Sequence, residues 1–61
     1  MTFEEIKVGE KFRISGGLES YTKVEEQNLD GKVINSEFSS GPYKNEFLEV
    51  YPDTRVRKIS K

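Results

Sequence analysis

The sequence predicts an all-β protein, either one small SH3-like five-stranded barrel or a strongly coiled antiparallel meander, with one N-terminal helical turn. Its apolar residues are mostly strand formers, since Ala is absent and Phe, Tyr, Val, Ile and Thr together outnumber Leu and Met. Short stretches of alternating polar and apolar residues are separated by turn residues. A chain of 61 residues has room for one domain, at positions 1–61, and its small core leaves no space for a deep substrate cavity.

The first predicted element is a single helical turn at positions 2–5. Thr2 and Glu5 have the spacing of a capping box, in which each side chain binds the main-chain N–H of the other residue. Gly9 then provides a left-handed exit into an extended segment. We expect the turn and this exit to place three apolar side chains over the core as a lid: Phe3, Ile6 and Val8.

The next two elements form a predicted hairpin. Positions 11–15 alternate between polar and apolar residues, and Gly16-Gly17 can adopt the positive φ values of a two-residue turn. The second strand starts at Leu18 or Glu19 and continues to Leu29. At that length it can bend and contribute to both sides of a barrel.

Three more strands complete the predicted meander. Asp30-Gly31 matches the type I′ hairpin turn and is the strongest turn signal in the chain. The remaining elements are a third strand at 32–38, a loop at 39–42, a fourth strand at 45–51 that Pro52 ends, and a short fifth strand at 55–59. Closing such a meander into a small barrel limits its exposed edges.

The amino-acid composition excludes several classes of chemistry. Without Cys or His, the chain cannot form disulfides, thiolate metal sites, zinc hydrolase sites or catalytic triads. We therefore expect a non-enzymatic protein with no cofactor and no metal. Ten basic and eleven acidic residues give a formal net charge of −1, so no global field favours nucleic acid or a membrane. The acidic N-terminus and the short apolar runs indicate a cytoplasmic protein.

Four short motifs are spread along the chain: V-G-x-K-F at 8–12, G-G at 16–17, Y-x-K at 21–23 and P-D-T-x-V at 52–56. In these motifs the sequence resembles a group of small phage-encoded and bacterial SH3-like β-barrel proteins. The resemblance implies a compact SH3-like β fold, a phage or prokaryotic setting, and the host cytoplasm if the protein is phage-encoded. It transfers no catalytic residue. The segment 36–44 is longer than in that group, which indicates a loop function particular to this chain.

The fourth predicted strand carries apolar residues on both faces. If Leu48 and Val50 point inward, an aromatic cluster of Tyr43, Phe47 and Tyr51 forms on the outside, and Tyr21 can join it from the second strand. Exposed aromatic clusters are typical of protein-binding modules and of modules that bind single-stranded nucleic acid. The alternative is a strand buried on both faces, with the N-terminal turn covering the second face.

Charged groups offer further candidate surfaces. Arg55, Arg57, Lys58 and Lys61 form a basic patch that could contact phosphates with Tyr51 as a stacking partner, or could be a solvated edge strand. Two acidic groupings could attract a basic partner or a hard cation, or could be solvated faces: Glu25-Glu26 with Asp30, and Glu4-Glu5 with Glu10. The loop at 39–43 has an aromatic tip that either contacts a partner or is a simple connection.

Three functions follow from these features. The first is a protein-binding module, a phage-encoded accessory protein that modulates a host or phage protein through Tyr21, Tyr43, Phe47 and Tyr51. The second is a single-stranded nucleic-acid-binding module that uses Arg55, Arg57 and Lys58. The third is a structural homo-oligomer formed by pairing of strand edges.

Overall fold

Five strands and one 3₁₀ turn account for the regular structure of the computed structural model, which describes residues 1–59. The turn spans Phe3–Glu5. The strands are β1 (Lys11–Ile14), β2 (Ser20–Leu29), β3 (Lys32–Phe38), β4 (Phe47–Leu48) and β5 (Val56–Lys58). The regular structure therefore consists of strands and one short turn, which confirms the all-β prediction.

All five strands belong to one antiparallel sheet with the order β4-β3-β2-β1-β5. The first four strands form a meander, and β5 returns to pair with β1, so that β4 and β5 lie at the two edges. Within residues 1–59 these edge strands do not pair with each other, so the sheet does not close into a barrel. Of the two predicted forms, the antiparallel meander is confirmed.

The long strand β2 contains a bulge opposite Asn35. Lys23 pairs with Ser36 and Gln27 pairs with Ile34, so three residues of β2 stand opposite one residue of β3. Extra residues in one strand bend it and increase its local twist. The bulge therefore divides β2 into a half that pairs with β1 and a half that forms the β2–β3 hairpin.

The two hairpin turns differ in geometry. Asp30 and Gly31 both have left-handed backbone angles (φ 53° and 82°), as a type I′ turn requires, and this prediction is confirmed. The connection between β1 and β2 takes five residues, 15–19, rather than the two expected. Its β-turn closes where the N–H of Gly17 donates to the carbonyl of Ile14 at 2.8 Å, so the turn lies one residue earlier than predicted.

The hydrophobic core forms around Phe12, which is fully buried. Phe3 and Ile6 cover it as the predicted lid, and Val50 and Val56 complete the buried cluster. The capping box is present: the Glu5 carboxylate accepts a hydrogen bond from the N–H of Thr2 at 2.7 Å. The prediction for Val8 is wrong, because the N–H of Gly9 donates to the carbonyl of Lys23 and carries the chain past the core, which leaves Val8 54% exposed.

The ammonium group of Lys23 fastens the lid to the sheet. It donates to the main-chain carbonyl of Ile6 at 2.7 Å and to that of Phe3 at 3.4 Å. The same group lies 4.4 Å from the centre of the Phe3 ring, within the range of a cation–π contact. Lys23 therefore satisfies the carbonyl of Ile6 at the end of the 3₁₀ turn, and it adds a second, longer hydrogen bond to the carbonyl of Phe3, which already accepts from the N–H of Ile6.

The predicted fourth strand, 45–51, is the largest error in the sequence-based assignment, because β4 contains only Phe47 and Leu48. Asn45 has a left-handed backbone (φ 78°) and cannot extend the strand toward its N-terminus. At the other end, the main chain at Val50 is held by a side chain rather than by a strand ladder. The first and fifth strands are each slightly shorter than predicted.

No helix in residues 1–59 has the length and apolar character needed to cross a membrane.

Candidate functional site

The side chain of Asn35 replaces strand pairing at the end of β4. Its amide nitrogen donates to the carbonyl of Val50, and its amide oxygen accepts from the N–H of Val50, both at 2.8 Å. Both residues are buried. Asn35 thus imitates the paired donor and acceptor of a neighbouring strand, and it draws the chain after Leu48 away from the edge of β3.

This departure leaves half of one β3 edge open. β4 pairs with β3 only at Ser36 and Glu37, and among residues 1–59 no strand covers the stretch Lys32–Asn35 on that side. An open depression of about 430 Å³ lies there. Its walls combine apolar and charged side chains: Lys32, Val33, Ile34, Phe47, Leu48 and Glu49. We call this feature the β3 edge groove.

The aromatic side chains of the 43–51 segment are exposed. Tyr43, Phe47 and Tyr51 are 55%, 47% and 65% exposed, whereas Leu48 is half-buried and Val50 is buried. The hypothesis that the fourth strand is buried on both faces is therefore wrong. The outer face of β4 is exposed because the N-terminal turn packs on Phe12 and does not cover that face.

Tyr21 belongs to a different aromatic group from Phe47 and Tyr51. Five rings form a ladder across the sheet, with centroids 4.9–5.6 Å apart: Phe3, Phe12, Tyr21, Phe38 and Tyr43. Burial raises the pKa of Tyr21, and the charge of Glu19 adds to this effect. The ladder thus runs from the core to the surface, and Tyr43 is its exposed end.

Phe47 and Tyr51 contact no other aromatic ring among residues 1–59. Phe47 instead lies beside the β3 edge groove. The structure therefore divides the four candidate aromatic residues into the pair Tyr21 and Tyr43, linked through Phe38, and two separate exposed rings.

The loop that carries Tyr43 is attached to β2. The hydroxyl groups of Ser39 and Thr22 are 2.6 Å apart, and Ser40 accepts hydrogen bonds from the N–H and the hydroxyl of Ser20. These contacts hold the loop against the sheet. Tyr43 consequently has a defined position at the surface.

Charge is divided between the two ends of the sheet. Residues 25–53 include seven acidic and two basic side chains, a net charge of −5, and the rest of the chain has four acidic and eight basic side chains, a net charge of +4. The first group includes the β2–β3 hairpin turn and β4, and the second includes β1 and β5. The β3 edge groove therefore lies in the acidic part of the molecule.

The predicted basic patch is not one surface. Lys58 turns away from Arg57, because adjacent residues of a strand point to opposite faces, and its ammonium forms an ion pair with Glu10 at 2.7 Å. The hydrogen bond from Lys58, with one from the N–H of Lys7, lowers the pKa of Glu10. Lys61 lies outside the described residues.

Two features were not predicted from the sequence. Arg57 stands directly opposite Arg13, a residue of β1 whose outward position follows from the alternation of the first strand. Leu18 is 89% exposed in the β1–β2 connection, where the longer loop leaves it without packing.

Comparison of the chain with protein-family models, with curated proteins and with solved structures gives no significant match.

Proposed function

We propose that the protein is a non-enzymatic protein-binding module that receives an extended segment of a partner protein in the β3 edge groove. The observation that carries this proposal is that β4 leaves the outer edge of Lys32–Asn35 uncovered, beside the exposed ring of Phe47. An open strand edge offers main-chain donors and acceptors to a further strand. Neighbouring apolar side chains then select the side chains of that strand.

The arrangement of the groove suits strand addition. The partner's main chain would pair with Lys32–Asn35, continuing the ladder that β4 begins at Ser36. Alternate side chains of the partner would contact Val33 and Phe47, which are half-buried and exposed respectively. Covering these side chains removes apolar area from water, which favours binding.

Charge favours a basic partner segment. Glu46 and Glu49 flank β4, are exposed, and form no ion pair with residues 1–59. The surrounding segment 25–53 has a net charge of −5. Lysine or arginine at the outward positions of the added strand would therefore meet complementary charge. Tyr51 and Tyr43 extend the contact area beyond the groove, whereas half-buried Tyr21 supports Tyr43 through the ring ladder.

The sequence supports the remaining parts of this proposal. A chain without Cys or His has few groups for catalysis near neutral pH. The resemblance to small phage-encoded proteins supports an accessory role in the host cytoplasm, with a host or phage protein as the partner.

The nucleic-acid alternative has weaker support, because the ion pair with Glu10 separates Lys58 from Arg55 and Arg57.

The test uses synthetic peptides and backbone NMR. A peptide of alternating lysine and valine should shift the amide resonances of Lys32–Asn35 and Phe47, and should slow amide exchange in that stretch of β3. A peptide in which glutamate replaces lysine should bind much more weakly. Shifts confined to acidic side chains, without slower amide exchange in β3, would count against strand addition.

Matched variants locate the contact. Phe47→Ser should keep the fold and lose peptide binding, and Tyr51→Ala should keep the fold and weaken it. Leu18→Ser removes an exposed apolar side chain that does not line the groove and should bind normally. If Phe47→Ser were unfolded, the result would instead indicate that the fold requires Phe47 as a core residue.

Two further measurements separate the alternative functions. Pull-down from host lysate with and without nuclease distinguishes a protein partner from one held through nucleic acid. Sedimentation across a range of concentrations detects self-association. A dimer whose formation protects Lys32–Asn35 from exchange would show that a second copy occupies the groove, in place of a different protein.

A further inference from the structure

Two arginine residues stand opposite each other at the basic end of the sheet. Arg13 of β1 and Arg57 of β5 are direct partners in the antiparallel register, and both are exposed. Like charges in this position destabilise a sheet. No carboxylate among residues 1–59 forms an ion pair with either guanidinium. Within the described part of the chain, this pair of positive charges is therefore uncompensated.

A cavity of about 290 Å³ adjoins this pair. Its lining includes both arginines, Ser15, Gly16 and Gly17, and no acidic residue. The main-chain N–H of Gly16 donates to no acceptor among residues 1–59. The residues that line the cavity thus include two arginines, a serine and a glycine whose main-chain N–H has no acceptor among residues 1–59.

The nearest acidic residue of the loop points elsewhere. The carboxylate of Glu19 packs so closely on Gly41 that a Cβ there would lie 2.5 Å from its Oε2 atom. Its charge also contributes to the raised pKa of Tyr21, which places it near that ring. Glu19 is therefore engaged on the side of the β3–β4 loop and does not neutralise the arginine pair.

We propose that this cavity binds a phosphate dianion, either inorganic phosphate or a phosphomonoester. Two guanidinium groups match its two negative charges, and each can make paired hydrogen bonds to phosphate oxygens. Binding would also remove the repulsion between the two arginines. A carboxylate or a phosphodiester carries one negative charge and would balance only half of the positive charge. The site is at the opposite end of the sheet from the β3 edge groove, so the two proposals stand independently.

The test measures thermal unfolding and the Nε–H resonances of arginine during titration with inorganic phosphate at constant ionic strength. Phosphate should raise the unfolding midpoint of the wild-type protein by several degrees, saturably, and should shift the resonances of Arg13 and Arg57. Phosphoserine should act in the same way. A saturable response to a single-stranded oligonucleotide without a response to phosphate or phosphoserine would overturn the dianion assignment.

Charge-matched variants provide the control. Arg57→Gln should weaken phosphate binding by about tenfold or more, the loss expected for one charge-assisted hydrogen bond. Without phosphate at low salt, it should unfold at the same temperature as the wild type or a higher one. Arg55→Gln removes the same charge from the same segment outside the cavity lining and should bind phosphate within about twofold of the wild type. Equal stabilisation of wild type and Arg57→Gln by phosphate would show only a general effect of the salt and would refute the site.

Discussion

Replacing Asn35 with alanine tests whether one side chain determines the end of β4. The amide of Asn35 makes two hydrogen bonds of 2.8 Å to the main chain of Val50. Alanine would leave a buried N–H and a buried carbonyl without partners. We expect the segment after Leu48 to loosen, and Tyr51 with it.

The size of the effect follows from these two groups. A buried polar group without a partner costs about 1–3 kcal/mol. Asn35 and Val50 also line a cavity of about 270 Å³ through which water can reach them, so the lower half of that range applies. The expected loss is about 2–4 kcal/mol. A chain of 61 residues has a total stability of only about 3–9 kcal/mol, so the loss is a large fraction of it.

Urea unfolding and amide exchange measure this loss. At about 1 kcal/mol per molar urea, the midpoint should fall by at least about 2 M, and the Val50 amide should lose its protection. Asn35→Asp, which is nearly identical to the wild type in shape, should be no more stable than Asn35→Ala at neutral pH, because a carboxylate cannot donate to the Val50 carbonyl. Gln27→Ala, which removes an exposed amide from β2, should change stability by less than about 0.5 kcal/mol. An equally small change for Asn35→Ala would refute the reasoning.

Three further substitutions test other contacts by urea unfolding. Lys23→Met should cost about 1–2 kcal/mol, since it removes the ammonium above Phe3 and its bonds to the 3₁₀ turn, and an unchanged midpoint would contradict that role. Lys58 lowers the pKa of Glu10 from its ordinary value of 4.5, so the stabilisation is complete above that pH and disappears as the pH falls through the lowered value. The stability difference between wild type and Glu10→Gln should therefore disappear in acid, and a difference independent of pH would exclude the ion pair as its cause. Leu18→Ser should change stability by less than about 0.5 kcal/mol, because Leu18 is 89% exposed, and a larger loss would reveal packing in solution.

Local signals in the sequence were sufficient for much of the fold. A type I′ turn requires left-handed backbone angles at two successive residues, and Asp-Gly is one of the few pairs that adopt them readily. The β2–β3 hairpin could therefore be placed accurately at Asp30-Gly31. Alternation in the fourth strand put Leu48 and Val50 on one face, and in the structure Val50 is buried and Leu48 half-buried. The capped turn at the N-terminus placed Phe3 and Ile6 in the lid, whereas the same prediction failed for Val8.

The errors arise where distant residues compete with local preference. The alternation of 45–51 favours a strand, but Asn35 binds the main chain of Val50 from fifteen positions away, and no local pattern contains that information. The opposition of Arg13 and Arg57 depends on the register between the first and last strands. The β3 edge groove results from the early end of β4, so it could not be predicted once that strand was expected to continue.

The separation of charge along the sheet has a consequence for the first encounter with a partner. The net charge of −1 is the sum of −5 on residues 25–53 and +4 on the rest of the chain, so the molecule resembles an electric dipole. In the field of a charged partner it would rotate before contact, with its acidic end toward positive charge. Such pre-orientation speeds association and has little effect on dissociation. Added salt should therefore lower the association rate constant while the lifetime of the complex remains nearly constant.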